Sequence, residues 1–467
     1  MLLENLSRFQ FAFTAMFHMT FPAITVGLAI FLTIVYAHYW RTNSLVYLQM
    51  FRFWRRIFAV AFALGVVSGT FMTFQFGLNW GGFAAKTGPV IAPIIAMEVV
   101  TAFFVEAGFI GVMLYGEDRV KKSTMFISCL MVALGTILST TWIIAANSWM
   151  QTPQGFELDS MGRFIPVDWW KVMFTPAFVW RYPHMLLAVL LSSSLVVAGI
   201  SAYYLLRGRA MGFAKRSFSI SIGLLAVVTP LQLTVGDHVA VDVVGKYQPS
   251  KLQALEGNWV STNTGYNLFV IPNVEQERND VQVTIPWLGS AIIGDLSGKS
   301  PYPGMLQTPA ADRPDPWFVF WGFRVMFYAS MFFFAASMIG VVLRIKGKLY
   351  DSPRFHNFVM WLTPVGIFAI WAGWVTAESG RQPWVVFGHL RTADAVSHLA
   401  SGQLIATVAA FLVAYLLLML AFILFVVRSV RRGPERDHPN WIPPPSDAAH
   451  LDLATLAPIT HTTGAAQ

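Results

Sequence analysis

Nine runs of apolar residues, each near the roughly 20 residues a membrane-crossing helix needs, leave this chain few folds to choose from. They fall at Phe9–Tyr36, Ile57–Leu78, Val90–Tyr115, Met125–Asn147, His184–Leu206, Phe218–Val235, Trp317–Val342, Phe358–Thr376 and Gln403–Val427. Hydrophobic residues make up 55% of the 467, charged residues 12%, and the mean hydropathy is +0.56, values that exclude a soluble domain of this length. The expected fold is an all-α polytopic membrane protein of about nine transmembrane helices.

Charge in the connections orients it. Arg41, Arg52, Arg55 and Arg56 follow the first run; Arg119, Lys121 and Lys122 the third; Arg207, Arg209, Lys215 and Arg216 the fifth. Arg344, Lys346, Lys348 and Arg354 follow the seventh, and Arg428, Arg431 and Arg432 the last. The positive-inside rule places all of these in the cytoplasm, with the N-terminus outside and the C-terminus inside. The net charge of +8 is thus spread over short loops, without the continuous patch that nucleic acid would need. Glu4 precedes Arg8 with no basic n-region, so no cleavable signal is expected. The organisation reads as helices one to six over 1–235, an extracytoplasmic loop over 236–316, helices seven to nine over 317–432, and a disordered cytoplasmic tail over 433–467. The loop reads as irregular, with a short helix at Lys251–Leu255; no internal repeat is found.

Several polar residues sit where lipid or helix should surround them. Glu378 closes an apolar run in WAGWVTAESGRQPW; a carboxylate there needs a partner, either Arg381 three residues on or a metal cofactor. His18 precedes Pro22 by four, so its carbonyl should lose its helical donor and the helix should kink. His184 follows Pro183 near the start of the fifth run, and Met326 stands beside Arg324 in WGFRVMF. Singly, each histidine suits a hydrogen-bonded packing role and Met326 a core or lipid-facing one. Together, all four lie in the outer half of the membrane, and imidazole, thioether and carboxylate are all axial ligands to heme iron. Arg324 and Arg381 could neutralise heme propionates.

The third run carries Glu98 and Glu106 in AMEVVTAFFVEAGF. On an ideal helix they are about 12 Å apart in depth and about 80° apart in azimuth, with Glu98 the shallower from outside. Two acids in one apolar helix read as a proton relay or as a pair satisfied by neighbouring helices; Ser139 and Asn147 on the fourth run could extend the path. In the loop, Asp237, Lys251 and Glu256 are candidates for substrate contact, against the alternative of solvated charges. The one cysteine, Cys129, excludes a disulfide, an iron–sulfur cluster, a c-type heme motif and a cysteine-bound copper pair.

At these residues the chain resembles subunit I of cytochrome bd-type quinol oxidases, from about Leu6 to Arg432. The signatures are SRFQFAFTAMFHMTF, FMTFQFGLNW, AMEVVTAFFVE, WIIAANSWMQ, GRAMGFAKRSF, SKLQALE, FRVM and AESGRQPW. The resemblance implies an enzyme of the bacterial inner membrane that oxidises quinol outside and reduces O2 to water with cytoplasmic protons, building a protonmotive force without pumping. It implies three hemes: a low-spin heme b held by His184 and Met326, a high-spin heme b held by Glu378, and heme d, or a third heme b, held by His18. Glu98 would lie near the last of these, Trp374 and Arg381 between or beside the hemes, Glu106 and Ser139 in the proton path, and Lys251 and Glu256 at quinol. A second subunit is the implied partner, with room for a small single-span accessory subunit. Val281 runs on to Trp317 without the long insertion some members carry, as in the short-loop, cyanide-insensitive branch; Ala107 replaces a serine of some relatives.

Three other readings compete. A proton-coupled transporter would show pseudo-symmetric halves. A diheme quinone cytochrome would lack oxygen chemistry. A heme–copper oxidase needs more histidines than His18, His38 and His184, the only ones expected in or at the edge of a span.

Overall fold

The computed structural model describes residues 2–261, 265–293, 303–397, 399–438 and 440. Among them are nine helices long and apolar enough to cross a membrane: span one Leu3–Thr42, two Leu45–Leu78, three Gly81–Tyr115, four Lys122–Gln151, five Pro176–Leu206, six Met211–Gly245, seven Pro316–Ile345, eight Pro353–Ser379 and nine Ser401–Arg432. Spans one and five form the centre, with 83% and 72% of their most apolar stretch buried; span nine, at 11%, is peripheral.

Close packing at the centre comes from small residues, as expected where lipid offers no hydrophobic drive for helices to associate. A Cβ on Gly27 of span one would lie 2.5 Å from Ser193 Oγ of span five, and one on Gly199 would collide with Thr363 Oγ1 of span eight. Ser193 Oγ lies 3.0 Å from the carbonyls of both Ala23 and Ile24, just past the break in span one at Phe21–Pro22. The break falls where Pro22 requires it. The His18 carbonyl, however, is not left without a donor: the Phe21 amide bonds it at 3.1 Å in a tight turn.

The spans overrun the apolar runs. Span two starts at Leu45 rather than Ile57 because its extra turns carry Arg52 and Arg55, which pair with Glu117 at 2.5 and 3.0 Å. Span six runs past Gly236 to Gly245, turning from α to π geometry at Val239. This puts Asp237 and His238 on the span and moves the start of the loop ten residues beyond the expected 235/236 boundary. His356 also lies on a spanning helix, so the histidine inventory was too short. His238 Nδ1 pairs with Asp242 at 2.7 Å and His356 Nε2 with the Leu349 carbonyl at 2.9 Å.

The loop between spans six and seven is more regular than expected. A helix, Pro249–Glu256, is followed by an antiparallel hairpin, Tyr266–Asn273 with Arg278–Ile285. The alternation in VQVTI is a strand signal that the polar flanks mask. Hairpins Phe156–Leu158/Phe164–Pro166 and Trp384–Val386/Leu390–Arg391 join it on the same side of the bundle. We call this the loop side.

At the opposite end, the tail expected to be disordered from 433 begins with a turn, Pro434–Asp437, that is packed in place. Gln49 donates to the Pro434 carbonyl at 2.7 Å, Asp437 pairs with Arg56 at 2.7 Å, and Glu435 pairs with Arg209 at 3.2 Å. Burial pushes the Asp437 carboxyl up to about 6 against the pull of Arg56. Residues 441–467 of the expected tail lie outside the described residues.

Candidate heme, quinol and proton sites

Three side chains able to bind iron each face a glycine on a neighbouring span. Cβ atoms on Gly69 of span two and Gly236 of span six would stand 3.1 Å from Cε1 of His18 and of His184, and one on Gly373 of span eight 2.9 Å from Met326 Sδ. His18 Nδ1 bonds Ser68 Oγ at 3.0 Å, and Ser68 is fully buried, which fixes the ring and leaves Nε2 for a ligand. His184 Nε2 lies 3.4 Å from Gln232 Nε2, while its Nδ1 is buried with no hydrogen-bond partner. A buried imidazole nitrogen without a partner is costly unless something binds it. Anchored rings, an unpartnered ring nitrogen and glycine-faced donors fit heme ligation at His18, His184 and Met326.

Glu378 sits differently. Its Oε2 pairs with Arg381, and its Oε1 accepts from Asn147 Nδ2 at 3.1 Å and Gln151 Nε2 at 3.2 Å. Asn147 therefore belongs to this carboxylate rather than to the span-three acids. The network continues outward, since Gln151 Oε1 accepts from Lys251 Nζ at 2.6 Å and from Gln248 Nε2 at 3.0 Å. Gln248 Oε1 accepts from Lys251 Nζ at 2.6 Å. Lys251 is 3% exposed, not a solvated loop charge. Burial holds its ammonium well below the usual lysine range, with Arg181 adding to the effect and Glu378 opposing it.

Glu256 is also buried, and it faces span seven. It pairs with Arg324 at 2.7 Å, and Arg324 Nε donates to the Asn267 carbonyl at 2.7 Å. The guanidinium lies 4.3 Å from the Tyr266 ring centroid. Arg324 is thus committed to Glu256 and the hairpin, although its Nη1 has no partner. Lys251 and Glu256 serve separate networks; five residues apart, they lie about 140° apart around a helix. Asp237, exposed on span six, joins neither.

On span three, Glu98 accepts from Ser139 Oγ at 2.7 Å, and a Cβ on Gly135 would sit 2.5 Å from Glu106 Cγ. Ser139 and Gly135 are four apart on span four, so both acids meet one face of it. An ideal helix would not align them. The π turn Val99–Phe103 between them inserts roughly one extra residue, about 100°, which brings the two carboxylates into line. Because span three begins at Gly81, Glu98 is about 25 Å below its loop-side end, deeper than expected, and Glu106 is about 14 Å from the other end.

Trp374, next to Gly373, packs against two apolar clusters, one of Ala23, Val26, Val189 and Ile370 and one of Ile144, Ala145 and Phe178, as Met185 does. Gln151, Gln248, Arg181 and the glycines were not singled out from sequence. Neutral amides and glycines carry no charge signal, although Gln151 closes the quoted WIIAANSWMQ and Gly373 lies in the quoted WAGWVTAESGRQPW.

Comparisons with known proteins give the chain its family. The cytochrome bd terminal oxidase subunit I family matches residues 6–434. The chain is 30% identical over 453 residues to the cytochrome bd ubiquinol oxidase subunit 1 of Bacillus subtilis, covering 95% of this chain and 96% of that one. It is 31% identical over 504 residues to the cytochrome bd-II ubiquinol oxidase subunit 1 of Escherichia coli, covering 92% and 96%. Its fold is similar to the bd oxidase structure from Geobacillus thermodenitrificans, with a TM-score of 0.85 and 28% identity over 92% of this chain and 99% of that one. The chain belongs to the cytochrome bd terminal oxidase subunit I family.

Proposed function

We propose that this chain is the heme-bearing subunit of a respiratory quinol:O2 oxidoreductase, working with a second subunit in the bacterial inner membrane. In this reading quinol is oxidised on the loop side, which the arginine-rich connections at the other end assign to the outside. Each quinol gives up two electrons and two protons; the protons leave on that side, while those consumed in making water come from the cytoplasm. Charge then separates across the membrane without a pump.

His184 and Met326 would hold a low-spin heme b, His18 the oxygen-reducing heme, d or b, and Glu378 a high-spin heme b. When bound, the hemes supply electron transfer and oxygen binding. This chain's residues do the rest. Ser68 holds the His18 ring, and Arg381, Asn147 and Gln151 hold the Glu378 carboxylate in place. Lys251, with its destabilised ammonium, stands where a hydroquinone oxygen could exchange a hydrogen bond or a proton. Glu106 passes protons to Glu98, and Ser139 fixes the receiving carboxylate. The observation that carries the reading is the set of three glycine-faced iron-binding side chains, one with an unpartnered buried nitrogen.

Quinol-driven oxygen consumption by the purified complex tests it. Wild type should consume oxygen, and Glu98→Ala should lose most of that rate with its heme bands intact. Heme bands without oxygen consumption in wild type would favour the diheme cytochrome; absence of heme bands would favour the transporter.

Lys251→Ala should raise the apparent KM for quinol several-fold while leaving heme content unchanged. The change leaves the oxygens of Gln151 and Gln248 without their ammonium donor, a loss of about 1–3 kcal/mol. An unaltered KM in a steady-state titration with quinol would exclude a direct role.

A further inference from the structure

The hairpin between spans six and seven is inside out for a segment that stands in water. Its polar side chains point inward, onto the loop helix. Asn267 Nδ2 donates to the Glu256 carbonyl and Asn279 Nδ2 to the Gly257 carbonyl, both at 2.9 Å. Gln282 Nε2 and Thr284 Oγ1 both donate to Asn267 Oδ1, at 2.9 and 2.6 Å. Because side chains alternate along a strand, the apolar ones are left on the other face. There Phe269 stands opposite Val283 and Ile271 opposite Val281, with Ile285 next in line, and all five are exposed. A sheet with one face in water shows the reverse pattern, apolar inward and polar outward.

Contacts with span seven set the depth of the hairpin. Arg324 Nε donates to the Asn267 carbonyl at 2.7 Å, the Tyr328 hydroxyl donates to the Leu268 carbonyl, and Phe269 meets Trp321 edge-on at 5.0 Å. Arg324 and Tyr328 are eight and twelve residues past Pro316, about 12 and 18 Å down span seven from its loop-side end. Counted up from Arg344 at the other end, the roughly 20 residues that cross the hydrocarbon reach Val325. The base of the hairpin is therefore level with the edge of the hydrocarbon, not in the water above it. Charge gathers at the opposite end, on the tip, where Glu277 pairs with Arg313 at 2.6 Å just before span seven. Trp317, 46% exposed and 6.4 Å from Trp321, continues the apolar face along span seven, as an interfacial aromatic does.

We propose that this face is a lipid-docking surface, with Phe269, Ile271, Val281, Val283 and Ile285 lying among acyl chains just beneath the headgroups of the loop-side leaflet. The occupant is lipid rather than a water-soluble partner because the face is level with the hydrocarbon edge and continuous with the exposed aromatics of span seven. Docked in this way, the hairpin anchors the loop helix at the bilayer surface, and with it Lys251 and Glu256.

The test uses the full complex in nanodiscs of phosphatidylethanolamine and phosphatidylglycerol, with Val283→Cys on the face and Glu275→Cys on the exposed tip. The native Cys129 is fully buried and gives the background. A charged, water-soluble maleimide should modify Val283→Cys about ten-fold or more slowly than Glu275→Cys, because a thiolate is the nucleophile and an apolar setting disfavours it. Photolysis of a diazirine-bearing phospholipid in the same discs should leave a lipid adduct on the peptide that carries Val281 and Val283. Equal labelling rates would put the face in water and overturn the proposal. Slow labelling without a lipid adduct would put protein on the face, from a second subunit or a second copy, and would overturn it too. Should Val283→Cys not assemble, Val281→Cys on the same face gives the same reading. Either overturning result leaves the oxidase reading untouched.

Discussion

Met326→Leu should erase the low-spin heme signal from the reduced-minus-oxidised spectrum while leaving the complex assembled. Leucine and methionine have nearly the same volume, and such exchanges in packed interiors typically cost under about 1.5 kcal/mol. The substitution therefore separates ligation from packing. Sδ is the atom facing Gly373, where a Cβ would come within 2.9 Å, so the thioether fits against bare backbone on span eight. Leucine fills that space but offers no lone pair. His184→Ala should remove the same signal by a different route, taking away the ring whose buried Nδ1 has no protein partner. An unchanged spectrum in both variants would contradict the pairing of these residues on one iron.

The membrane spans could be read from sequence because a bilayer demands about 20 apolar residues at a stretch, and little else satisfies it. Their ends could not. Helices extend past the apolar run wherever a charged turn finds a partner, as Arg52 and Arg55 do with Glu117 and as the segment at Pro434–Asp437 does with Gln49 and Arg56. The same limit misplaced Glu98. Starting span three at Val90 made it shallow, but the helix begins at Gly81, behind Lys86 and Pro89, which break the apolar pattern.

At the site, the charged residues and the candidate iron ligands were legible one by one, the charged ones because each is expensive in an apolar setting. Their partners were not. Gln151 links Lys251 to Glu378 through one side chain, yet a glutamine at a helix end carries no signal of its own. Lys251 and Glu256 looked like loop charges because nothing in their spacing shows that the loop folds back over the bundle and buries them. The carboxylate that Arg324 pairs with was hidden for the same reason: Glu256 is 68 residues earlier in the chain. The π turn at Val99–Phe103 is a change in hydrogen-bond register, and VVTAF reads as ordinary helix.

That π turn sets up the second large effect. With it, Glu98 and Glu106 face the same side of span four, and Gly135 leaves room there for the Glu106 stem. Glu106 is 6% exposed and nearer the arginine-rich end of the bundle, so protons from that side would reach it before Glu98. Glu106→Gln keeps the shape and polarity but removes the group that can give up a proton. Quinol-driven oxygen consumption should therefore fall by about a hundred-fold or more, the range expected when a positioned proton-transfer group is lost, with the heme spectrum unchanged. Gly135→Ala should slow turnover less, because the added methyl pushes the carboxylate aside without removing it. The two variants separate chemistry from position. If Glu106→Gln turned over at the wild-type rate, protons would have to reach Glu98 by another path, and the aligned pair would be reduced to two acids satisfied by their neighbours.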